Sequence, residues 1–109
     1  MTYPQILWWL MVGHALCDFA LQNDFLAKGK NHKNPIPGIP WQACLAAHAM
    51  IHGGAVALIT GSILLGVVEV LFHACFDYLK CDGCITFRQD QLLHWCIKIA
   101  LAGLVPFVR

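Results

Sequence analysis

Four apolar stretches, residues 3–22, 41–59, 62–78 and 87–108, are each interrupted by polar or ionisable side chains four positions apart. The sets are His14, Asp18 and Gln22; His48 and His52; Glu69, His73 and Asp77; and Asp90, His94 and Lys98. A spacing of four keeps each set on one face of a helix. Each stretch also approaches the ~20 residues with which a helix crosses a bilayer. An ionisable group facing lipid costs at least ~2.5 kcal/mol on insertion scales, so the four polar faces must turn toward one another. The expected fold is all-α: an integral membrane four-helix bundle in one domain, residues 1–109, with helices at about 3–24, 41–59, 62–79 and 87–108.

Composition agrees with lipid as the solvent. Of the side chains, 59% are hydrophobic and 12% charged, with a mean hydropathy of +0.63. A soluble bundle keeps a polar face on every helix, and these stretches have none to spare. No Lys or Arg occurs in the first 27 residues and no small-x-small pattern follows the first stretch, so it is expected to persist as a helix and not as a cleaved signal. Pro4 suits a first helical turn, KGKNHKNPIPGIP (28–40) reads as a loop, and ITGS (59–62) and CDGC (81–84) read as short turns. Tyr3, Trp41, Tyr78 and Phe107 fall where aromatic rings meet headgroups. Ala49, Gly53 and Ala57 form a small-residue stripe that permits close helix approach.

Lys28, Lys30, Lys33, Lys80 and Arg88 lie in or beside the first and third connections, against Arg109 alone on the other side. The positive-inside rule then places loops 28–40 and 80–87 in the cytoplasm and both termini outside, in the inner (plasma) membrane of a cell. The CDGC cysteines would face a reducing compartment, so a structural disulfide is not expected, and no second Cys pair accompanies them as a zinc site would require.

HALCDFAL (14–21) and HACFDYLK (73–80) share His-Ala-x-x-Asp-aromatic, and each is followed by a loop and a helix with its own pair, His48/His52 or Asp90/His94. The chain thus reads as two tandem helical hairpins with pseudo-twofold symmetry about the membrane normal, bringing two similar half-sites together. Counting ~1.5 Å per residue from the cytoplasmic ends puts His48, His73 and His94 roughly 10 Å deep, with His14 and Asp18 bracketing that level. His52, Glu69 and Lys98 come out about one turn deeper, where Glu69 and Lys98 would neutralise each other.

Imidazole and carboxylate converging from four helices are the usual ligands of divalent first-row metals, zinc first, with manganese or iron as alternatives. His14, Asp18, His48, His52, His73, Asp77, Asp90 and His94 are the expected ligands, enough for two ions; Cys44, one turn before His48, could join them. A proton relay or a structural hydrogen-bond network is the competing reading.

The series HALCDFALQ, Lys28 to Lys33, LAAHAMIH, FHACFDYLK and DQLLHW resembles the signature of a bacterial and phage membrane-protein family known as domain of unknown function 3307 (DUF3307). The resemblance runs from His14 to Trp95. It implies a small multi-helix membrane protein with His14, Asp18, Gln22, His48, His52, His73, Asp77, Lys80, Asp90, Gln91 and His94 at the family's polar positions, and it implies no activity. The proline-rich first loop and the CDGC cysteines depart from that pattern.

Function is therefore expected from the site. The leading reading is metal-dependent hydrolysis of a lipid-like phosphate, with Glu69 or Asp90 as the catalytic base, Gln22 and Gln91 orienting substrate or ligands, and Lys28, Lys30, Lys33, Lys80 and Arg88 steering a headgroup. The alternatives are an oligomeric metal-ion or proton transporter or channel, for which four helices would need at least a homodimer, and a non-catalytic membrane partner protein. The expected partner is membrane lipid, and no nucleic acid.

Overall fold

The computed structural model describes residues 1–108, and these form helices and no strands. Helix α1 (Tyr3–Ala15) starts at Thr2, whose hydroxyl accepts from the Gln5 amide while the Gln5 side chain accepts from the Thr2 amide, a reciprocal cap. It runs into one wide π turn, Leu16–Ala20, closed by Leu21 N donating to Leu16 O at 2.8 Å. The first helix was expected to reach residue 24. It stops earlier because the Asn23 side chain accepts from Leu26 N and starts a separate short helix, α2 (Asp24–Gly29).

Helix α3 (Trp41–Thr60) ends at Gly61, whose φ of 72° only glycine adopts freely, and Ser62 caps α4 (Ile63–Cys81) by accepting from Leu65 N. Helix α5 (Phe87–Val108) follows the turn at Gly83 and is capped by Thr86 and Gln89. The bundle is 45 × 23 × 22 Å, and in cross-section the helices form a ring in the order α1, α3, α4, α5. The α3–α4 seam is the tightest. A Cβ on Gly53 would lie 2.7 Å from Gly66 O, and one on Gly66 would lie 2.7 Å from Gly53 O, so the expected stripe on α3 meets a glycine on α4.

Loops 31–40 and 82–86 meet at one end, where Asp82 Oδ1 lies 2.9 Å from His32 Nε2 and 3.4 Å from Lys33 Nζ. His32, then Cys84 and Lys33, hold the Asp82 carboxyl below the usual carboxylate range. His32 also stacks on Tyr78 at 3.9 Å.

The inside of the bundle is divided by polarity. Its loopward half holds the ionisable side chains, and the other half is an apolar cluster of Ile6, Leu10, Val56, Leu65, Leu101, Ala102 and Val105. The outside is apolar, with Leu58 87%, Phe107 81%, Ile63 80% and Trp8 64% exposed. Helices α3 and α5 are long and apolar enough to cross a membrane. Helix α1 is cut short by the π turn, and α4 carries Glu69, Asp77 and Lys80.

Candidate metal centre

Helix direction makes the ionisable residues converge. Side chains lean toward the N-terminus of their own helix, so those of α3 and α5 tilt toward the loops while those of α1 and α4 tilt away from them. His52, expected a turn too deep, is thereby brought up to the layer: its ring stacks on His73 at 3.7 Å, and His73 stacks on His94 at 4.1 Å. Asp18, on the π turn, comes down to meet them. Gln22 Nε2 donates to the Asp18 backbone carbonyl at 3.0 Å, satisfying an acceptor stranded at the helix end.

Around Asp18 Oδ1 stand three imidazole nitrogens: His48 Nε2 at 3.1 Å, His52 Nε2 at 3.3 Å and His73 Nε2 at 3.8 Å. Donors ~2.0–2.2 Å from one tetrahedral ion lie ~3.3–3.6 Å from one another, so this spacing fits a coordination shell. Hydrogen bonding leaves the set incomplete. His48 is bonded to Asp18, while His52 Nε2 and His73 Nε2 are buried with no hydrogen-bond partner among the described residues. Asp18, His48, His52 and His73 could together hold an ion.

Glu69, expected as a base, has a different position. Its Oε1 lies 3.3 Å from His73 Nδ1 and also accepts from Lys98 Nζ. A carboxylate can only accept, so Nδ1 carries a proton, which leaves Nε2, facing Asp77 Oδ2 at 3.4 Å and Asp18 Oδ1 at 3.8 Å, as the nitrogen open to a metal. This is how outlying carboxylates fix metal-binding histidines. Glu69 and Lys98 are paired with each other, as expected.

A second group lies nearer the loops. His94 Nε2 is 3.1 Å from Asp90 Oδ1 and 3.6 Å from Asp77 Oδ1, and Asp77, Asp90 and His94 could also hold an ion. Here, however, ammonium groups are in contact. Lys80 Nζ is 3.7 Å from Asp90 Oδ2, and Lys30 Nζ is 2.9 Å from Asp77 Oδ2. Lys30 was expected at the surface with Lys28 and Lys33, but it is only 3% exposed. Nothing in the loop's charge pattern separates it from its neighbours. The one local signal is Gly29, where a Cβ would lie 2.5 Å from Cys44 Sγ. That close passage seats α2 on α3 and turns the next residue inward. Cys44 serves as packing there and is in neither ligand group.

Gln91 joins the two groups. Its Nε2 donates to Asp18 Oδ2 at 2.7 Å and lies 3.3 Å from Asp90 Oδ2, and its Oε1 accepts from His14 Nε2 at 3.0 Å. His14 therefore presents a protonated Nε2 to Gln91, and the same nitrogen lies 3.6 Å from Asp18 Oδ2, beside the first ion-holding group rather than in it. Beside this link, between α1 and α5, runs a groove of ≈ 510 Å³ walled by Phe19, Phe87 and Trp95, with His14 and Gln91 on its inner side and Arg88 along it. Lys28 is exposed, away from both groups.

No curated protein and no solved structure matches the chain. The family resemblance read from the motifs is upheld: the model described as protein of unknown function (DUF3307) matches residues 6–108, and the chain belongs to that family.

Proposed function

We propose that this is a multi-pass membrane protein holding a divalent metal ion, zinc first, on Asp18, His48, His52 and His73, and that it hydrolyses a lipid-like phosphate ester. The observation that carries the reading is the convergence of three histidine Nε2 atoms on Asp18 Oδ1, with the His73 tautomer set by Glu69. Membrane placement is supported by the inverted distribution of polarity, with lysine, carboxylates and histidines inside and Leu58, Ile63 and Phe107 outside. The two connections that Lys28, Lys30, Lys33, Lys80 and Arg88 lie in or beside share one end, consistent with a cytoplasmic face there.

A bound divalent metal would lower the pKa of a water molecule toward ~7 and polarise a phosphoryl oxygen. The chain's own residues do the rest. Gln91 orients Asp18 and bridges to Asp90. The Asp90–His94 pair, 3.1 Å apart, is placed to hold or transfer a proton, and Lys30 and Lys80 face the charge of a phosphate. The apolar groove suits the hydrocarbon tail of the substrate, with Arg88 available to its head. A conduit for ions fits less well, because the apolar cluster from Ile6 to Val105 closes the other half of the bundle and Glu69 is satisfied by Lys98.

The test is metal content by mass spectrometry on detergent-purified protein, followed by phosphate release from single-chain lipid phosphates. About one ion per chain and phosphate release lost in Asp18→Ala support the reading. Absence of any bound ion after incubation with zinc, manganese and iron would sink it.

A further inference from the structure

We infer that Lys30 Nζ holds the place of a second cation at this centre, so that the natural chain takes one metal ion and removal of Lys30 opens a second metal position on Asp77, Asp90 and His94. The inference rests on the metal reading above and goes beyond it, since it concerns a different set of side chains.

Apart from His73, which the second hairpin lends to the first group, the two ligand groups come from equivalent parts of the repeat. The first hairpin supplies Asp18 from its first helix and His48/His52 from its second, and the second hairpin supplies Asp77 and Asp90/His94 from the same relative places. Donor separations are alike: 3.1 and 3.3 Å to Asp18, 3.1 and 3.6 Å to His94. Three donor atoms of the second group, Asp77 Oδ1, Asp90 Oδ1 and His94 Nε2, are buried and face only one another, at 3.1 and 3.6 Å from His94, with no other hydrogen-bond partner among the described residues. They are therefore ready for a ligand in the same way as His52 and His73.

What distinguishes the groups is the ammonium. No lysine lies within ion-pair distance of Asp18, whereas Asp77 has Lys30 at 2.9 Å and Asp90 has Lys80 at 3.7 Å among the described residues. Lys80 is partly exposed and free to swing away, but Lys30 is fixed, because the Gly29–Cys44 contact commits its backbone to this approach. Asp77 Oδ2 also faces His48 Nε2 and His73 Nε2 at 3.4 Å each, so the Lys30 charge sits directly against the first group. In centres with two metal ions, the pair neutralises the attacking and leaving oxygens together. Here a lysine supplies the second positive charge, as a point charge that makes no coordination bonds.

The experiment counts ions. Wild type, Lys30→Met and the double variant Lys30→Met with Asp77→Asn are purified in detergent, incubated with Zn2+ or Mn2+, freed of excess and analysed by mass spectrometry. The expected numbers are one, two and one per chain. Two ions in wild type, or one in a folded Lys30→Met protein, overturns the inference. If Lys30→Met does not fold, Lys30→Gln, which keeps a donor toward Asp77 without the charge, takes its place under the same criterion. No ion in wild type strikes the metal reading itself and takes this inference with it.

Discussion

The first hairpin, α1 with α3, and the second, α4 with α5, repeat the same arrangement near the loops and diverge one turn further in. Where the second has Glu69 and Lys98, the first has Leu10 and Val56 at the matching positions. All four are buried to within 2% exposure. Leu10 and Val56 belong to the apolar cluster, and Glu69 and Lys98 form an ion pair beside it. A buried ion pair is weak support for stability, since an apolar pair of similar volume often does as well. Its use must lie elsewhere, and Glu69 shows where: it fixes the proton of His73, whereas His14, the repeat counterpart of His73, has no such partner and turns to Gln91.

The comparison is most exposed at the two histidines. His73→Ala should remove the bound metal almost completely while His14→Ala keeps it, by mass spectrometry on folded protein; equal retention or equal loss would show that the hairpins contribute symmetrically. Lys98→Met alone leaves the Glu69 carboxylate buried and unpaired, and should lower unfolding free energy by about 3–5 kcal/mol in detergent. Copying the first hairpin into the second, Glu69→Leu with Lys98→Val, should restore most of that loss. It should still weaken metal affinity by roughly 10–100-fold, the usual effect of losing a group that orients a ligand. Unchanged affinity would reduce the pair to packing.

The smallest expected effect is at the loops. The Asp82 carboxyl is held below its unfolded value of ~3.9 by His32, Cys84 and Lys33, so its contribution is present above about pH 4 and is lost as pH falls through the folded value. Asp82→Asn should lower the thermal midpoint slightly at pH 7, and the difference should shrink steadily as pH falls below about 4. A difference that does not change with pH below about 4 would mean that the loop contact is not ionic.

Much of this arrangement could be read from the chain. Spacing of four and the His-Ala-x-x-Asp repeat carried the four polar faces, the pairing of Glu69 with Lys98 and the doubling of the ligand groups, because helical periodicity is local. Three features were not legible, each depending on geometry that no local pattern records. The depth of His52 depends on which way its helix runs. The engagement of His14 with Gln91 depends on a residue 77 positions away. The burial of Lys30 depends on Gly29 meeting Cys44 across a loop whose lysines look alike in sequence.

The glycine contact between α3 and α4 limits how such a bundle could ever open. With Gly53 and Gly66 backbone against backbone, that seam has no slack for sliding or separation. Opposite that seam, between α1 and α5, the ring instead carries a ≈ 510 Å³ groove walled by aromatic side chains. Anything reaching the histidines along that groove would meet Gln91, bonded to His14, Asp18 and Asp90.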